Sequence, residues 1–398
     1  MGKLLRSTPL QLLVCIIFAA FLGKTLPITW VSHAYSLSLF FINSVLFILP
    51  LIIFSYLFNA LVAMDEKAPT LAFALIIIIC LSNALALCVA YFVGSTIIPH
   101  LAVDVILPET LQTITPLYRF PIQHGLRADY VALTAFVGAY LCIKTKHKNN
   151  AAKSLISMAR HLQQLVNTFL KRAFLPLLPL YVLGFMLKMS YEGTLDFLYT
   201  KYLPVFALNI GVSFIYVVIL YKVVSLGYRP IGNLISNMLP AGVVGFSTMS
   251  GAVTIPVTID CTEKNVQHPA LAHMVIPTTS NMHMLGDDIT ITLTAFTLLI
   301  VNGMSLPSFS DFLPYILWFC VAKLACVGIA GASLLVILPV LKEHLGFSSE
   351  MVSLITTLYV LHDPFGTFHN VMGNGAFAIG VERVFGKFGL LKHPPSCD

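Results

Sequence analysis

Apolar runs long enough to cross a hydrocarbon core recur along this chain. Leu10 to Leu26, Tyr35 to Met64 and Leu71 to Pro99 come first, a fourth follows from about residue 129, and Leu203 to Ser225 is another plain span. A membrane-crossing helix needs roughly 20 mostly apolar residues, so the pattern predicts a multi-pass helical protein whose main solvent is lipid. Between the fourth run and Leu203, one long helix is expected from Ala151. It enters amphipathic and basic and turns apolar through Pro176 and Pro179, where the prolines predict a kink.

After Ser225 the pattern changes. Pro240 to Thr258, Pro277 to Thr294 and Asp363 to Gly375 are too polar for lipid-facing helices, and irregular backbone at membrane depth is tolerated only against protein or water. Ile231 to Cys261 and Asp311 to Gly346 each hold two short apolar arms around a small-residue centre, Ser247 to Gly251 in one and Gly328 to Ser333 in the other. Each predicts a re-entrant hairpin. Paired interruptions of this kind point to a transporter site, because half-helix N-termini aim their amide dipoles at a substrate. Two glycine-kinked spans are the plainer alternative.

Composition agrees with a lipid environment: of 398 residues 58% are hydrophobic and 10% charged, and the mean hydropathy is +0.88. The net charge of +6 is clustered, with Lys144, Lys146, Lys148 and Lys153 after the fourth run and Lys3, Arg6, Lys387 and Lys392 near the ends. Basic loops stay cytoplasmic, so an even number of crossings is expected between the clusters and both termini are placed inside. These residues flank spans instead of forming a stripe with exposed aromatics, which argues against nucleic acid as a partner. Leu10 to Leu26 follows Lys3 and Arg6 as a signal peptide would, but no small-x-small cleavage site follows, and a retained first helix is expected. The eight cysteines never form a CxxC pair and signal neither zinc nor a disulfide framework.

Candidate chemistry lies in two polar stripes. Asp363, Thr367, Asn370 and Asn374 are spaced four, three and four apart and fall on one helical face. An intramembrane Asp costs about 3 kcal/mol on insertion scales, so Asp363 should face a cavity, a counter-charge or an ion path; interhelical bonding suffices to explain the Thr and Asn. His362 and His369 lie on a neighbouring face and read as satisfied core histidines. The second stripe is Asn281, His283, Gly286, Asp287 and Asp288. Crowded carboxylates and an imidazole perturb one another's protonation, and Gly286 would let the helix unwind and free carbonyls for a cation. A proton site fits these residues equally.

From about Phe206 to Gly386 these residues resemble the dicarboxylate/amino acid:cation symporter family, the glutamate transporter homologues. The family's first hairpin tip, S-S-S-x-T-x-P, is similar to Ser250 to Pro256, which keeps the first serine and the T-x-P. Its unwound N-M-D-G-T aligns with His283, Met284, Leu285, Gly286 and Asp287, where only the Met and Gly survive. Its second tip, A-G-x-P-G-A-G, resembles Val327 to Ser333. Its last-helix D-x-x-R-T-x-x-N-V-x-G-D is matched by Asp363, Gly366, Thr367, Asn370, Val371, Gly373 and Asn374 at every specified position except the Arg and the final Asp.

The resemblance implies an all-α polytopic membrane protein with about eight transmembrane helices and two re-entrant hairpins, a homotrimer working as an elevator in a bacterial inner membrane. It implies scaffold helices in residues 1–70 and 129–190, a transport-domain helix in 71–100 and a transport core in 203–390. Within that core the hairpins are expected at about 231–261 and 311–346, the seventh helix at 266–303 and the eighth at 350–386. Its partners would be lipid and a small solute such as an amino acid, with no resident cofactor and a co-transported H+ or Na+. Substrate contacts would fall on Ser250, Gly251, Asp287, Gly328, Gly331, Asp363, Gly366, Thr367 and Asn370. Ion or proton coupling would fall on Thr279, His283, Met284, Asn370 and Asn374.

The departures redirect the expected chemistry. The family's Arg, which pairs with a substrate's side-chain carboxylate, is Gly366 here, and Asp287 stands where the family has Thr; a neutral or cationic amino acid or amine is expected in place of an acidic substrate. Leu285 and Asn374 remove two carboxylates from sodium sites, while His283 and Asp287 add groups that titrate, so proton coupling is the sharper expectation. From another class, an intramembrane aspartyl protease is suggested by Met284 to Asp287, M-L-G-D, with Asp363 as the partner acid; a passive channel or a non-transporting binder is a third reading. No zinc-protease, P-loop or Rossmann signature is present.

Overall fold

The computed structural model describes residues 8–65, 69–102, 114–118, 128–145, 150–169, 172–173, 175–225, 230–326 and 332–388. Among these residues there are fourteen α-helices. They are α1 Thr8–Leu22, α2 Ile28–Asp65, α3 Pro69–Ala102, α4 Ala128–Thr145, α5 Asn150–Phe169, α6 Leu175–Tyr191 and α7 Thr194–Ser225. The second half adds α8 Ile231–Thr248, α9 Gly251–Glu263, α10 Pro269–Met282, α11 Leu285–Val301, α12 Phe309–Lys323, α13 Ala332–Leu345 and α14 Ser349–Lys387.

Two groups of helices emerge. In the first, α2 packs on α4, α5 and α6, and α1 lies along α6. In the second, α11 and α14 pair at the centre, flanked by α3, α7 and the helix pairs α8–α9 and α12–α13. The groups meet where α13 touches α2 and where α6 meets α7 and α14. Tyr181 ties them by donating its hydroxyl to the Ser353 carbonyl at 3.1 Å.

Among the described residues, three stretches are long and apolar enough to cross a membrane: Ala74–Leu101, Tyr202–Ser225 and Pro269–Val301. The first two are 33% and 28% buried and present apolar faces outward, whereas the third is 89% buried and so is shielded from lipid by other helices. That shielding is what permits the third stretch to break, since interrupted backbone in lipid would leave amides unpaired. The longest helix, α14, has 39 residues and spans about 58 Å. Pro364 lies inside it without ending it.

The expected helix from Ala151 covers α5 and α6; residues 170, 171 and 174 of the stretch between them lie outside the described residues, and 172–173 are π-helical. The second helix begins at Ile28, earlier than the apolar run at Tyr35.

Candidate functional site

The centre of the second group is a helix break. α10 ends at Met282 and α11 begins at Leu285, with His283 (φ −105°, ψ 91°) and Met284 (φ −127°, ψ 67°) extended between them. The opening amides of α11 need acceptors, and Asn370 of α14 supplies one. Its Oδ1 accepts from the Gly286 amide at 2.8 Å and from that of Asp287 at 3.4 Å, while its Nδ2 donates to Asp287 Oδ1 at 3.1 Å. Asp287 and Asp288 occupy the first turn of α11, where the helix dipole favours negative charge.

Gly286 does not unwind the helix, contrary to expectation: the break falls before it. A Cβ at Gly286 would lie 2.6 Å from the Gly366 carbonyl, so its glycine serves the close approach of α11 to α14. Gly366 has a matching constraint. A Cβ there would meet Asp287 Oδ1 at 2.8 Å, which means the Asp287 carboxylate fills the space that a side chain at 366 would need.

His283 is fully buried. Its Nδ1 is 2.8 Å from Asn374 Oδ1 and its Nε2 2.9 Å from Ser82 Oγ on α3, while its ring lies 4.2 Å from that of Phe377. In the neutral ring Nδ1–H donates to Asn374 and Nε2 accepts from Ser82. The Met282 carbonyl at the break accepts from Asn83 Nδ2 at 2.8 Å. His283 thus joins α3, the break and α14 in one buried network.

On the other side of α11 lies a residue that the sequence analysis did not single out. Lys323, the last residue of α12, is 0% exposed. Its Nζ is 3.4 Å from Asp287 Oδ2 and 3.5 Å from Asp288 Oδ1, donates a hydrogen bond to Ser333 Oγ, and lies 5.4 Å from the Phe319 ring centre. Asp287 is therefore not an unpaired carboxylate awaiting a cationic substrate. An ionisable side chain in an apolar membrane segment is a functional hypothesis by default, and that signal was present in α12.

Met284, Asp287, Ser333, Asp363, Thr367, Asn370 and Asn374 line one polar cavity, together with Gly251, Ser280 and Tyr359. It measures about 20 Å³, room for a water or two, so an amino acid would require its walls to part. Asp363 Oδ1 accepts from Thr367 Oγ1 at 3.4 Å. Ser250 is not among the lining residues; it caps α9, its hydroxyl accepting from the Val253 amide at 3.4 Å. Thr279 turns its hydroxyl back to the Val275 and Ile276 carbonyls. Gly366 abuts the site through Asp287. Gly328 and Gly331 lie outside the described residues.

His362 behaves as a core histidine: Nε2 is 2.8 Å from the Tyr202 hydroxyl and 3.2 Å from Asn209 Nδ2, and the ring lies 4.3 Å from that of Phe206. It ties α7 to α14 outside the cavity.

A profile of the sodium:dicarboxylate symporter family matches residues 9–384 of this chain. The chain belongs to that family. It is thus an integral, multi-pass membrane protein of a transporter family, and the aspartyl-protease reading of Met284 to Asp287 falls with that assignment.

Among similar proteins is the serine/threonine transporter SstT of Acinetobacter baumannii (strain ATCC 17978), 24% identical over 274 residues, which cover 66% of this chain and 65% of that protein. The SstT of Acinetobacter baylyi is 32% identical over 149 residues, 36% of each chain. The chain thus matches less than two thirds of the length of these relatives. Two of the groups that depart from the family's sodium and dicarboxylate motifs, His283 and Asp287, are the ones tied into networks with α3 and α12.

Proposed function

We propose that this protein is a secondary transporter that carries a small neutral amino acid across the membrane, with Asp363 receiving the substrate's ammonium group. The observation that carries the reading is the packing of Asp287 against Gly366. A side chain at 366, where the family places its carboxylate-binding Arg, would have to displace the Asp287 carboxylate, and the space holds a charge that repels an acidic side chain. Lys323 offsets one negative charge there, so a cationic side chain gains less than an unpaired Asp287 would have offered. The printed names of the similar Acinetobacter proteins, serine/threonine transporters, agree with a small neutral substrate.

The substrate's carboxylate would be met by the N-terminal amides of α9, whose first residue Gly251 lines the cavity. Coupling is to protons in place of sodium. Position 285 is a buried leucine and position 374 an amide, neither an anionic ligand for a hard cation, and His283 fills the space between α3 and α14 with an imidazole. Transport would follow an elevator path in a homotrimer, the second helix group moving against the first, with both termini on the cytoplasmic side of a bacterial inner membrane. The division of the helices into two groups supports that mechanism.

The test is uptake by purified protein in liposomes. An imposed inward proton gradient is expected to drive accumulation of L-serine or L-threonine with no need for sodium. Robust uptake of glutamate or succinate overturns the substrate reading, and uptake that needs sodium and ignores the pH gradient overturns the coupling reading.

A further inference from the structure

We infer that the Lys323 ammonium is a tethered cation that does the work of a mobile one, binding the α12–α13 pair to the carboxylates of α11 so that ligand binding needs no metal ion. This deepens the proposed function and rests on its placement of the cavity.

Lys323 closes α12 and Ser333 stands in the first turn of α13, and the ammonium hydrogen-bonds that serine, so one charge clasps both arms of the pair. From there it reaches across to α11. An ammonium has three N–H donors and no acceptor; here it faces the Ser333 hydroxyl, Asp287 Oδ2 at 3.4 Å and Asp288 Oδ1 at 3.5 Å. Such a shell of hydroxyl and carboxylate oxygens is also what a hard monovalent cation takes. The lysine fills that role from within the chain, at full local concentration, and cannot be diluted away.

Its surroundings are built for a charge. Lys323 is 0%, Asp288 0% and Asp287 2% exposed, so the ions are held away from water. Two carboxylates face one ammonium, leaving an excess negative charge that keeps the lysine attracted to α11. Among the described residues neither Asp288 oxygen meets another hydrogen-bond donor, and the ammonium, 3.5 Å from Oδ1, is the group on which Asp288 depends. Among the described residues the ammonium also meets the Met284 sulfur at 3.8 Å and the Phe319 ring, neither of which competes for it as an anion.

A native reporter stands beside the clasp. Cys326 is 4% exposed, three residues past Lys323, with its Sγ 3.8 Å from the Met284 sulfur. Separation of α12–α13 from α11 would expose it. The experiment follows alkylation of Cys326 by N-ethylmaleimide, read by mass spectrometry of its peptide, in full-length protein in liposomes with sodium chloride or choline chloride. In the wild type, slow alkylation is expected in both salts. In Lys323→Met, alkylation is expected to rise at least tenfold in choline and to fall again when sodium or methylammonium is added.

Lys323→Arg should behave as the wild type in both salts. Should Lys323→Met not fold, Lys323→Met/Asp288→Asn leaves one uncompensated carboxylate, Asp287, in place of two and should show the same salt-dependent exposure. Wild-type alkylation that sodium slows as strongly as it does in the variant, or variants as slow as the wild type in choline, overturns the inference. L-serine is added as a separate arm. If it protects Cys326 in no protein, the substrate reading fails while the comparison of salts still judges the tether.

Discussion

The two helix pairs that reach the cavity are held to the centre by different forces. The α8–α9 pair is held by shape. Met249 takes the left-handed φ of 50° at its turn, Gly251 lets the chain pass 2.6 Å, measured from a would-be Cβ, from the Ser280 carbonyl, and Gly242 and Gly245 let α8 lie against Phe368, Thr367 and Val371 of α14. The α12–α13 pair packs Phe312 on Phe296 of α11 and is held to α11 by a buried charge as well, Lys323 with Asp287 and Asp288. Close packing does not vary with solution conditions, whereas an ion pair depends on the charge state of its members and on what competes for them. The difference suggests one wall that stays and one that can be released, which is the asymmetry a transporter needs to open a site to one side at a time.

The largest effect should come from removing the charge. Lys323→Met leaves Asp287 and Asp288 buried without a counter-ion, and breaking a buried pair from one side costs about 3 to 5 kcal/mol. A marked drop in thermal unfolding temperature in detergent is expected, with partial recovery when Asp288→Asn is added. A variant as stable as the wild type would mean that the second pair does not depend on its ion pair. Gly251→Val tests the other wall. Its new Cβ would meet backbone and cannot be accommodated by a side-chain rotation, so a loss of about 1 to 3 kcal/mol is expected. Because the fault is steric, no added cation should restore stability; recovery with sodium or methylammonium would erase the distinction between the two walls.

Much of this contrast was legible in the amino-acid order. The two pairs announce themselves as apolar arms around small residues, and the spacing of Asp363, Thr367, Asn370 and Asn374 places all four on the cavity face of α14. Lys323 was visible as a charge in an apolar segment but its partners were not, because they are carboxylates 36 and 35 positions away and no helical or strand period relates them. Gly366 could be seen as a missing arginine, but that Asp287 fills its place is a fact of packing between α11 and α14. Gly286 misled for the same reason: glycine permits both unwinding and close approach, and only the neighbouring helix decides between them.

The smallest expected effect asks whether the family's surviving tip serine is chemistry or architecture. Ser250 has the extended backbone of an N-cap (φ −141°, ψ 108°) and accepts from the Val253 amide. Replacing a serine cap by alanine costs about 1 kcal/mol, and the long 3.4 Å bond puts Ser250→Ala at or below that figure. Ser250→Asp, which also caps, should restore stability while placing a carboxylate beside the α9 amides proposed to receive the substrate. If the cap is all that Ser250 supplies, alanine lowers the unfolding temperature slightly and leaves L-serine affinity unchanged, and aspartate weakens affinity without lowering stability. A large loss of affinity in the alanine variant with no change in stability would instead make this serine a substrate ligand, and the shape-held wall would then share in recognition.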